Sequence, residues 1–82
     1  MPYIKQNDRD KLVSIATQMA VVKIKANGDL NFLLYYYAKY FIEHNYNSLK
    51  NFCGELRQCA TEIERRILGP YEDKKIDENG DV

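Results

Sequence analysis

This chain of 82 residues has one histidine, two cysteines, no net charge and no long apolar run, and each shortage closes off a class of function. With His44 alone, no set of base, nucleophile and orienting group assembles around an imidazole. A histidine placed near a helix C-terminus is favoured by the helix dipole whatever its role. The chain contains no Walker, Rossmann, His-Glu-x-x-His or paired Cys-x-x-Cys spacing, so the sequence predicts no enzyme and no cofactor. Cys53 and Cys59 are too few for a disulfide framework. Six positions apart on a helix they point to different sides, which disfavours a shared metal or a local disulfide, and they read as reduced, partly buried thiols.

No stretch approaches the ~18 apolar residues that span a bilayer, and the opening residues carry no signal-peptide core, so a cytoplasmic protein is expected, with no membrane partner. The carboxylates offer no metal site by spacing. Glu55 and Glu62 lack the Glu-x-x-His pairs of dimetal helix bundles, and Asp77 to Asp81 has the wrong spacing for a calcium loop. Charges cancel over the whole chain but not along it. Lys5, Arg9, Lys11, Lys23 and Lys25 outnumber Asp8 and Asp10 over residues 1 to 25, whereas Glu62, Glu64, Glu72, Asp73, Asp77, Glu78 and Asp81 outnumber Arg65, Arg66, Lys74 and Lys75 over residues 62 to 82. That opposition suits the acidic end lying over the first helix of its own chain or of a neighbour.

What the chain does have is Leu30 to Ile42, which at helical pitch places apolar or aromatic groups on every side of the cylinder. Such a helix wants to be buried all round. A chain this short buries only about 60% of its unfolded surface, so the missing cover is expected from a second copy or a partner. The pattern predicts an all-α bundle of three helices, at about 8 to 25, 29 to 44 and 48 to 68, with a polar tail from 70 to 82. Asn7 reads as the first cap, Gly28 as a left-handed stop, Asp29 as the second cap, and Asn47 or Ser48 as the third. Leu49, Phe52, Leu56, Cys59 or Ala60, Ile63 and Ile67 form one stripe on the third helix. Gly54, costly inside a helix, reads as a close crossing with the central helix, and Gly69-Pro70 reads as the end of the third.

Tyrosine offers a large apolar area with one polar tip and is enriched where subunits meet, so Phe32, Tyr36 and Tyr40 are the candidate self-association face. A second reading pairs Tyr35 and Tyr36 with Arg65 and Arg66 as contacts for a small anionic, nucleotide-type ligand between subunits. Glu62 is the simple partner of either arginine one turn on. Nucleic acid is disfavoured, because stacking platforms come with a basic groove and this chain is neutral.

The opening Met1 to Arg9, the central Gly28-Asp29-Leu30-Asn31, the spaced Gly54, Leu56, Glu62, Arg65 and Arg66, and the closing Pro70 to Val82 resemble a family of short proteins encoded by bacteriophages and bacteria. That family is a domain of unknown function. The resemblance brings no activity with it, but it implies that the terminal segments dock on each other or bind a common partner, with Tyr3, Lys5, Tyr71, Glu72 and Asp73 as candidate contacts for a host or phage protein. This chain departs from the family pattern at Glu64, where an aromatic is usual.

Overall fold

Helix formation starts earlier than the first asparagine. In the computed structural model, which describes residues 4–81, α1 spans Gln6–Val22 and its N-cap is Lys5, with no side-chain bond to the first turn. Arg9 serves that end instead: its Nε donates to the Ile4 carbonyl at 2.9 Å and its Nη1 to Gln6 Oε1 at 3.0 Å. Asn7 therefore lies inside the helix, and Asp8 in the first turn complements the dipole.

At the other end α1 stops at Val22, three residues short of the expected Lys25, where the β-branched Val21 and Val22 give poor helix propensity. Lys23 takes the left-handed conformation (φ 64°, ψ 47°) that the sequence assigned to Gly28. Its N–H donates to the Ala20 carbonyl and the Ile24 N–H to the Met19 carbonyl, which together close a Schellman motif.

The second helix, α2, spans Gly28–Phe41, so Gly28 opens it, and the cap is Asn27 rather than Asp29. Asn27 Oδ1 accepts the Asp29 N–H at 2.9 Å. The helix ends at Phe41, and His44 falls in the loop beyond it. Asn45, two or three positions before the expected residues, caps α3 (Tyr46–Ile63) by accepting the Ser48 N–H at 2.8 Å. Replacing Asn27 or Asn45 by Ala should each cost about 1 kcal/mol of stability, read by urea unfolding followed by circular dichroism.

The largest departure comes at Gly69-Pro70, which does not end the helix. A π-helical turn over Glu64–Leu68 follows α3, and α4 spans Gly69–Asn79. Residues 70–79 of the expected tail are thus helical. The cause is local. A proline ring clashes with the carbonyl four residues back in α-helical winding, and a wider turn moves that carbonyl aside. The Gly69 N–H donates to the Glu64 carbonyl, and a Cβ at Gly69 would lie 3.1 Å from that oxygen. Proline then occupies the first turn of α4, where its missing N–H is least costly. Gly80, at φ 82°, closes α4 with its N–H on the Ile76 carbonyl at 2.7 Å.

Gly54 behaves differently: apart from its own helix backbone, no atom stands within 4 Å of where its Cβ would be. Gly54→Ala should therefore stabilise the protein by up to about 1 kcal/mol, whereas Gly69→Ala, pressed against a backbone oxygen, should destabilise it. Thermal melts of the two variants side by side test the pair.

The chain is all-α, with three helical runs and no strand among the described residues. It divides into two units, residues 1–43 and residues 44–82. No described side chain in either unit is fully buried.

Candidate interaction surface

The exposure along α2 is uneven, and its pattern follows the four-residue step of a helix surface. Leu30, Leu34 and Ala38 form the half-buried row. Phe32, Tyr36 and Tyr40 form an outer row, at 67%, 46% and 58% exposure. Their rings lean on one another, with centroids 5.9 Å apart for Phe32 and Tyr36 and 4.6 Å for Tyr36 and Tyr40. Tilted contacts at such distances suit aromatic quadrupoles and hold the rings as one surface. The Lys39 amine lies 5.5 Å from the Tyr40 ring centroid.

Leu33, Tyr37 and Phe41 make a second exposed row beside the first, with Tyr37 and Phe41 rings 5.7 Å apart. The sequence reading passed over this row. The same four-residue spacing of aromatic and apolar residues would have revealed it. An open apolar groove lined by Ile24, Asp29, Phe32, Leu33 and Tyr36 runs along the start of the face. Tyr35 is also exposed.

The two arginines of the ligand reading meet at one carboxylate. Arg65 Nη2 bonds both oxygens of Glu62, at 2.9 and 3.1 Å, and Arg66 Nη1 lies 3.9 Å from the same group. Glu62 keeps only 15% of its side-chain surface in water, while both arginines remain well exposed. An i,i+3 pair of this kind is worth a few tenths of a kcal/mol, so it constrains geometry more than it stabilises. With Glu64 beside them, Glu62, Arg65 and Arg66 leave no net charge around the π turn.

Among the terminal candidates, Tyr3 lies outside the described residues, and Lys5 is the N-cap of α1. Tyr71, Glu72 and Asp73 stand exposed on the first turns of α4, with the Lys75 amine 5.7 Å from the Tyr71 ring centroid. Cys53 and Cys59 are both free and exposed, not partly buried as their type suggested. Among the described residues no three His, Cys, Asp or Glu side chains converge as a metal would need. No helix among them is long and apolar enough to cross a membrane.

These features define an all-α protein whose most apolar helix carries its rings on the outside. The chain belongs to the family described as a domain of unknown function, DUF6899, whose model matches residues 1–82. No curated protein and no solved structure matches it.

Proposed function

We propose that this protein is a non-enzymatic, phage-related interaction module that works in the cytoplasm as a homo-oligomer, joined through the outer rings of α2. Its termini, including Lys5, Tyr71, Glu72 and Asp73, hold a host or phage protein. One observation carries the reading: Phe32, Tyr36 and Tyr40 form a continuous ring surface that stays roughly half or more exposed, in a chain with no fully buried described side chain. Contiguous apolar patches of this kind mark contact sites, because leaving them in water forfeits about 25 cal/mol per Å². The phage connection is supported by the resemblance of the terminal segments.

Native mass spectrometry of gently purified protein tests the assembly directly. An oligomer free of added mass is the expected result, and a melting temperature that rises with protein concentration should accompany it. A clean monomer at micromolar concentration would overturn the proposal. The second reading, a nucleotide-type ligand held by Tyr35, Tyr36, Arg65 and Arg66, draws on the exposed side chains of the two arginines. It has less support, because Arg65 is already engaged by Glu62 and the groove beside Tyr36 carries Asp29 on its rim. Its signature is an oligomer carrying extra mass, and a ligand at a hundred times its Kd would add about 2.7 kcal/mol to stability.

A further inference from the structure

The apolar stripe of α3 does not stop where the sequence suggested. Leu49, Phe52, Leu56, Cys59 and Ile63 follow steps of three and four, the spacing of a helix-pairing seam. Two steps of four then lead to Ile67 and Tyr71, and at about 100° per residue each advances the stripe by about 40°. The π turn over Glu64–Leu68 falls on that advance, and its wider winding turns through fewer degrees per residue. The backbone stays right-handed helical at Ile63, Glu64, Leu68 and Gly69, so the seam carries on past Pro70 to Tyr71. Leu49 and Leu56 are more than a third exposed, and Ile63, Ile67 and Tyr71 about half or more. A seam from Leu49 to Tyr71 covers three heptads, the length at which helix pairing becomes a credible signal.

The spacing is close to a mirror image of itself. Counted from the bond between Cys59 and Ala60, Leu56 and Ile63 stand three and a half positions away on either side. Phe52 and Ile67 stand seven and a half away, and Leu49 and Tyr71 ten and a half and eleven and a half. A two-fold contact between identical chains requires this self-complementarity, because residue i must meet residue j while j meets i. Charge points the same way. Lys50 and Arg57 against Glu55 leave the start of α3 positive, while Glu72, Asp73, Asp77 and Glu78 against Lys74 and Lys75 leave α4 negative. An antiparallel pair sets the positive end of one seam beside the negative end of the other; a parallel pair sets like on like.

We propose that the seam from Leu49 to Tyr71 is the docking site for the same seam of a second copy, antiparallel and centred on Cys59 and Ala60, a second contact beside the α2 rings. The proposal rests on the oligomeric reading and adds the second surface and its direction. Leu49 meets the partner's Tyr71, and Leu56 meets the partner's Ile63.

Pulsed electron spin resonance on the full chain measures this. In a Cys53→Ser, Cys59→Ser background, one nitroxide is placed at Gln58→Cys or, separately, at Asn51→Cys. At 1.5 Å of rise per residue, symmetry mates in the antiparallel pair are offset along the axis by roughly 5 Å at position 58 and roughly 26 Å at position 51. The expected result is a short interchain distance at the first site and a long one at the second. Equal short distances mean a parallel pair and overturn the proposal. An oligomer by light scattering without dipolar coupling at position 58 overturns it while leaving the oligomer intact, and a monomer removes both readings together. If the serine background fails to fold, a lysine cross-linker on the unmodified chain decides. Lys50 joined to the partner's Lys74 or Lys75 supports the antiparallel pair, and Lys50 joined to the partner's Lys50 overturns it.

Discussion

Tyr40→Asp is expected to convert the assembled protein into monomer or insoluble material. Tyr40 packs 4.6 Å from the Tyr36 ring and is 58% exposed, so in the single chain a carboxylate there meets water and costs little. Once a second copy covers the face, the same carboxylate loses its hydration without a paired donor. A penalty of ~3 kcal/mol or more follows, equivalent to about a hundredfold weaker association. The Lys39 amine near the Tyr40 ring offsets only part of it, because the lysine must then be desolvated as well. Light scattering across a dilution series reads the change, and Tyr40→Phe, which keeps the ring and loses only the hydroxyl, should remain assembled. An unchanged oligomer in the aspartate variant would place the contact elsewhere.

Ile63→Ala should destabilise the protein by 2 kcal/mol or more, and the sign of this result is as informative as its size. Ile63 is 48% exposed in the chain by itself. If that exposure persisted in solution, alanine would be the better helix former and the variant would gain a few tenths of a kcal/mol. If the seam is covered, truncating a buried isoleucine removes transfer energy and leaves a cavity, at about 2 to 5 kcal/mol. Urea unfolding at two protein concentrations separates the cases. A gain in stability would mean that nothing covers this part of α3.

Helical periodicity was legible because it depends on residues three and four positions apart along one chain. The stripe through Leu49, Phe52, Leu56 and Ile63 and all but the last residue of the apolar run from Leu30 to Ile42 lie on helices for that reason. The caps were legible in kind but displaced in position. Asn27 and Asn45 are the residue types that accept orphan N–H groups, but several polar residues compete in each loop, and backbone geometry chooses among them. Lys23 was not legible, because a left-handed lysine is disfavoured by its own Cβ and is accepted only where the Schellman bonds repay it. Glu62 with Arg65 was legible, since it needs only a helix between them.

The candidate face was legible as a composition and not as an arrangement. The four-residue spacing of Phe32, Tyr36 and Tyr40 put their rings in one row, but the neighbouring Leu33, Tyr37 and Phe41 were not distinguished from a core row. The sequence by itself determined that the chain is helical, where its first two runs lie and where the third begins to within about three residues, which end is basic and which acidic, and that α2 has apolar groups on every side. The tertiary structure alone decided that Leu30, Leu34 and Ala38 are the more covered row while the rings stay outside, and that Gly69-Pro70 continues a helix through a π turn. Periodicity and charge belong to the residues themselves. Exposure belongs to the neighbours a residue acquires, and a proline's effect depends on whether the carbonyl four residues back can move aside, so neither can be read from the residue alone.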